Sequence, residues 1–227
     1  CTSGDSTVEV SRFNGYVERT IAIPDGVDPS KITTGVVLNA DGTFSHVPTS
    51  IVLIGGKYFA KINSLTNSTY SVVYNPVTFT DTANHWAKDA ISDMGARMVV
   101  TGIGNGIYEP DKSITRAEFA AIVVRAIGLK KGTTESAFGD VTLTDWFNGY
   151  VDTATSYSLI KGYNSASFAP NDTITREQAM TILARAMKLT GLSVSLTDSE
   201  ASELLANFTD AGLVSRYAKT GAAVCIK

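Results

Sequence analysis

From Phe79 onward the chain repeats itself, and this constrains its fold more than any other feature. At an offset of 60, Trp86 meets Trp146, Ile91 meets Val151, Met94 meets Ala154 and Gly102 meets Gly162. The same offset pairs Tyr108 with Phe168, Pro110 with Pro170, Ile114 with Ile174 and Arg116 with Arg176. The opening triplets, Phe79-Thr80-Asp81 and Phe138-Gly139-Asp140, stand at 59, one insertion apart. A period of this size marks a supersecondary unit that buries its apolar face only against its neighbours.

Each unit reads as a helix, a glycine-containing loop and a second helix. Asn84 and Thr144 are the expected N-caps of the first helices. Apolar residues at Ala87, Ala90, Ile91, Met94 and Met98 follow helical spacing. The second helix carries Phe119, Ile122, Val123, Ala126 and Ile127 in one unit, and Ala179, Ile182, Leu183, Ala186 and Met187 in the other. Gly191 is the expected stop. A third unit opens at Phe208-Thr209-Asp210, with Ser215 at the cap and Tyr217 in the tryptophan position. Thr197 and Glu200 are placed to box an extra helix ahead of it. Cys225 falls on the Met94 position, which favours a buried apolar role over a disulfide with Cys1.

Residues 1–77 have a different texture. VEVSRFNGYVERTIAI, GVVLNADGTFSHV and SIVLIGGKYFAKI alternate apolar and polar residues, and Asp41-Gly42 and Gly55-Gly56 are hairpin turns. The expected architecture is multidomain α and β. An antiparallel β-sandwich-like module (1–77) precedes an all-α repeat domain of helix-loop-helix prongs in pseudo-threefold array. Its units are 78–132, 133–192 and an incomplete 193–227.

Apolar residues make up 44% and charged residues 18%, the balance of an ordered globular chain. The net charge of −3 without a basic run argues against nucleic-acid binding. The best apolar run, FAAIVVRAIGL, is short, is broken by Arg125 and reads as a core helix rather than a membrane span. Two cysteines at opposite ends make no disulfide framework; Cys1 suits either lipidation after signal cleavage or an artificial chain end. The sequon Asn67-Ser68-Thr69 reads as a chance match.

The stretches ITRAEF (114–119) and ITREQA (174–179) divide into two parts. Thr115 with Glu118, and Thr175 with Gln178, form capping boxes that start the second helices. The boxes leave Arg116 and Arg176 unexplained, because positive charge is disfavoured at a helix start. A helix N-terminus and a guanidinium together suit a carboxylate or phosphate. The alternative is pairing with a neighbouring carboxylate or stacking on an aromatic ring. Trp86 and Trp146 serve either as core or as flat faces for sugars, and Gly102 and Gly162 either turn the loop or let a ligand approach the backbone. Asp111 and Glu118 faintly suggest a calcium loop, but Lys112 and Arg116 interrupt the oxygen ligands it needs. With His46 and His85 apart in the sequence and no nucleophile motif, no catalytic residues, metal or cofactor are expected.

FTDTANHWAKDAI, the loop ending Tyr-x-Pro, and ITRAEFAAIVVRA resemble the S-layer homology domain, over about 79–227, in two full copies and one partial copy. The β-segment looks like a small immunoglobulin-like or fibronectin-like module. The resemblance implies a secreted bacterial surface protein anchored non-covalently to secondary cell-wall polysaccharide through grooves between prongs. It assigns Arg116 and Arg176 to an acidic, pyruvate-ketal-bearing sugar, with Trp86, Trp146, Gly102 and Gly162 as groove walls. The alternative role is structural, with the repeats making protein contacts in an S-layer lattice. The partial third copy lacks its loop, second helix and arginine, which implies at most two functional grooves. Either the rest was cut away, or a second copy or partner chain completes it.

Overall fold

The computed structural model describes residues 2–3, 6–7, 12–39, 41–192 and 194–227. Cys1 and the start of the expected first strand, 8–11, lie outside them. The chain divides into two compact units, one of residues 1–112 with 125–130, the other of 113–124 with 131–227.

In the first unit, β1 (Thr2–Ser3) pairs with β2 (Ser6–Thr7), and two three-stranded antiparallel sheets follow. One has the order β3-β7-β6, from β3 (Arg12–Ala22), β6 (Thr49–Ile54) and β7 (Lys57–Thr66). The other has the order β5-β4-β8, from β4 (Thr34–Leu38), β5 (Phe44–Val47) and β8 (Tyr70–Val73). The Gly55-Gly56 turn joins β6 and β7 with both residues at positive φ, as a two-residue hairpin requires. Asn39 to Thr43, with Gly42 at φ 82°, closes the β4–β5 hairpin around Asp41, as the alternation predicts.

Val36, Val47, Ala60, Ile62 and Leu65 form the interior of this module, and the Thr49 hydroxyl accepts the Gly35 amide between the two sheets. His46 is buried beside them, its Nδ1 2.7 Å from the Thr34 hydroxyl. Burial first, then the Arg97 charge, lower its pKa to about 4, against the opposing hydrogen bond to the Ala126 carbonyl.

The first repeat adds α1 (Lys88–Ala96) and its loop. Asn84 does not cap this helix. The cap position is Ala87, whose amide donates to Nδ1 of His85. Met98 lies beyond the helix end at φ 62°, so it is not part of the apolar stripe.

The second unit holds the start of α2 (Arg116–Ala126), then α3 (Asn148–Ser156), α4 (Arg176–Leu189), α5 (Asp198–Leu205) and α6 (Lys219–Ile226). The capping boxes form as predicted at α2, α4 and α5. Phe147, not Thr144, occupies the N-cap of α3. Gly191 ends α4 at φ 83°. Ser215 does not cap α6, because both its amide and its hydroxyl donate to Glu177. The Cys225 thiol contacts the Met180 carbonyl, and burial raises its pKa.

The buried stripe of α2 runs through Ala117, Ala120, Ala121, Val123 and Val124; of the expected positions Val123 is buried, while Phe119, Ile122, Ala126 and Ile127 are only partly covered. Small residues face inward here because neighbouring backbone approaches this helix closely: Asp172 and Pro170 carbonyls accept the Arg116 and Ala117 amides.

The expectation of an all-α repeat domain is wrong. Among the described residues the six α-helices are 8 to 14 residues long, and the repeat region between them is loop with short 3-10 turns at Thr80–Thr82 and Ala211–Leu213. It includes antiparallel bridges at Gly104–Ile107 and Thr115–Thr173. Helical periodicity could not reveal these loops, since long-range hydrogen bonds hold them.

A cationic groove on the second repeat

The loop of the second repeat is fixed by one carboxylate. Asp140 accepts the Phe168 amide at 2.9 Å, the Ala169 amide at 2.8 Å and the Ser167 hydroxyl at 2.8 Å. Desolvation works to raise its pKa, but these hydrogen bonds prevail and hold the carboxyl below its usual range. They also pin Ala169 at φ 56°, a conformation unfavourable for a residue with a Cβ. Asp81 holds Tyr108 and Glu109 in the same way in the first repeat, with Glu109 at φ 61°. Neither aspartate was among the expected site residues. Their recurrence in the two opening triplets was the available signal.

The carbonyls of this loop receive Arg116. Its Nε donates to Phe168 O at 2.9 Å, Nη2 to Lys161 O at 3.1 Å and Nη1 to Gln178 Oε1 at 3.1 Å. The guanidinium lies 4.5 Å from the Tyr163 ring centroid and 4.7 Å from that of Phe168, and the residue is 5% exposed. The arginine stacks on aromatic rings, one of the two expected alternatives, and it also borders open space. The first amides of α2 are taken by carbonyls, so the helix start itself offers no anion hole, and the arginine side chain is what the motif contributes.

That space is a groove of about 400 Å³, within the range of roughly 300–1,000 Å³ usual for small-molecule sites. Its walls include Arg116, Lys161, Gly162, Tyr163 and Tyr217. One face of α4 also lines it, with Gln178, Thr181, Ile182 and Arg185 at spacings of 3, 4 and 7. Three cations line the groove and, among the described residues lining it, there is no carboxylate. Arg185 was missed at the sequence level. It gives one bond to Leu159 O at 3.0 Å, and desolvation lowers its pKa.

The other expected residues are placed differently. Arg176 is exposed, its side chain makes no hydrogen bond or ion pair among the described residues, and it borders a second cavity of about 310 Å³. That cavity also carries Glu177, Asp210, Phe208 and Leu213. Trp146 is 51% exposed and meets Phe147 and Tyr150 edge-on, away from the groove lining. Trp86 is 91% exposed beside His85, which excludes a core role. Gly102 and Gly162 are required by the loops themselves, since a Cβ would strike the Ile107 carbonyl at one and the Ser167 carbonyl at the other.

Two opening aspartates, two boxed helices and an arginine inserted into a neighbouring loop define a tandem helix-loop-helix surface module. Residues 78–120 and 137–180 match the S-layer homology domain family model, so the chain carries S-layer homology repeats. Similar proteins include an amylopullulanase of Thermoanaerobacterium thermosulfurigenes, 33% identical over 76% of this chain and 9% of that protein. The middle cell wall protein of Brevibacillus brevis is 36% identical over 63% of this chain and 15% of its own length. A cellulosome-anchoring protein of Acetivibrio thermocellus is 28% identical over 69% and 40%. The chain thus spans only a minor part of each of these relatives.

Proposed function

We propose that this protein is held non-covalently on a bacterial cell wall, its groove binding an acidic sugar of the secondary cell-wall polysaccharide. One observation carries the reading: Arg116, Lys161 and Arg185 converge on a groove whose described lining has no carboxylate, in a chain of net charge −3. Such a groove draws anions electrostatically. A pyruvate ketal supplies a carboxylate on a sugar ring and is the preferred anion. The relatives named for a cell wall and for anchoring support the surface role, and the catalytic name of the amylopullulanase belongs to a protein of which the chain spans 9%. The module's task is attachment, not catalysis.

Units 78–132 and 133–192 are the proposed repeats, with 193–227 beginning a third. Arg176 is assigned to a weaker second contact, because Glu177 and Asp210 share its cavity.

The test is sedimentation of the chain with isolated cell walls before and after extraction of the polysaccharide. Binding should require the polysaccharide and weaken as salt is raised above about 0.1 M. Undiminished binding to extracted walls would overturn the proposal.

A further inference from the structure

Resting on the reading above, we propose that Arg185 contacts the anionic group of the bound sugar and that Tyr163 provides the face on which its ring stacks. Arg116 then acts as the positioning residue that holds both the loop and Tyr163.

The two arginines differ in their free donors. A guanidinium carries five N–H groups. Arg116 commits three of them to Phe168, Lys161 and Gln178, and the residue is almost wholly buried. Arg185 commits one, to Leu159, and remains partly open on the groove. It therefore has a fork free for a carboxylate, and no carboxylate from the described lining competes for it. Partial desolvation of this cation makes an arriving anion more favourable still. Arg185 also lies outside the segment 137–180 matched by the family model.

Tyr163 is 55% exposed, with the Arg116 guanidinium 4.5 Å from its ring centroid on one face. The ring lines the groove, and an aromatic ring held in this way gives a flat apolar surface at little entropic cost. At the offset of 60 the first repeat has Ile103, so the aromatic platform belongs to the second repeat's loop alone.

Calorimetric titration of the 227-residue chain with two probes tests the assignment. One probe is purified wall polysaccharide bearing pyruvate ketals, and the other is the same polysaccharide after mild-acid removal of the ketals. Arg185→Gln should cut affinity for the first about ten- to a hundredfold, the worth of a charge-assisted contact, and leave the second unchanged. Arg185→Lys should recover part of the loss. Tyr163→Ala should weaken both probes about tenfold, and Tyr163→Phe neither. Arg185→Gln binding both probes like wild type would overturn the assignment. So would equal losses for both probes with a lowered thermal midpoint, because that is the pattern of a structural role. Wild type binding neither probe would sink the anchoring reading itself.

Discussion

Arg116 and Arg176 occupy the same place in the same motif, yet replacing each by alanine should have very different effects on stability. Arg116→Ala removes three hydrogen bonds from a buried cation and strands the Phe168 and Lys161 carbonyls. Hydrogen bonds to charged groups contribute about 1.5–3 kcal/mol each. At the lower end of that range the three together give a loss of about 4–5 kcal/mol. For a chain of this size that corresponds to a fall in Tm of roughly 10–15 °C. Arg176→Ala removes no hydrogen bond or ion pair among the described residues and lifts a positive charge from the first turn of α4. It should leave stability within about 0.5 kcal/mol of wild type, with relief of the helix dipole favouring the variant. Calorimetric unfolding of the two single variants measures both. Equal losses would refute the claim that neighbouring loop carbonyls, rather than the motif itself, set the arginine's role.

Three further perturbations follow from the geometry. His46 has a folded pKa of about 4 against a reference of 6.5, so between these values the unfolded chain binds more protons. Its contribution of about 3 kcal/mol should be fully present above about pH 6.5 and lost as pH falls toward 4. Tm measured from pH 7.5 to 4 should show that loss, and His46→Gln should flatten it. Gly162→Ala should cost at least about 1–3 kcal/mol, since the new methyl meets the Ser167 and Asn164 carbonyls and the Phe138 ring, whereas Gly212→Ala, in open space, should be neutral. Asp140→Asn loses a charge that three donors share and should cost about 1–2 kcal/mol after allowance for its exposure, with amide exchange faster at Phe168 and Ala169.

Local chemistry was readable wherever it was local. The capping boxes at Thr115, Thr175 and Thr197, the Gly191 stop and the Gly55-Gly56 hairpin each depend on residues within four positions of one another. What was misread depended on partners far along the chain. Asn84 looked like a cap, but Ala87 takes that position with no side-chain cap, and the neighbouring His85 ring hydrogen-bonds Asp111, 26 residues away. Ser215 looked like a cap, but Glu177, 38 residues earlier, claims it. The stripe on α2 was shifted because backbone carbonyls from Pro170 and Asp172 demand alanines on the inner face, and hydropathy ranks alanine below Phe119 and Ile122.

The groove shows why a repeated motif does not guarantee a repeated function. ITRAEF and ITREQA encode the same helix start, but the arginine's environment comes from the following unit. Arg116 meets a loop whose amides are held by Asp140, which fixes the carbonyls that accept its guanidinium. Gln178 then serves twice, accepting the Thr175 amide and Arg116 Nη1 on one oxygen. A glutamate there, as at 118, would also cap the helix, but it would place a carboxylate in the groove and repel an anionic ligand. Arg176 has no such loop among the described residues and faces Glu177 and Asp210 instead. Identical start signals can therefore leave one arginine as a structural pin at the edge of a cationic groove and the other as an exposed charge.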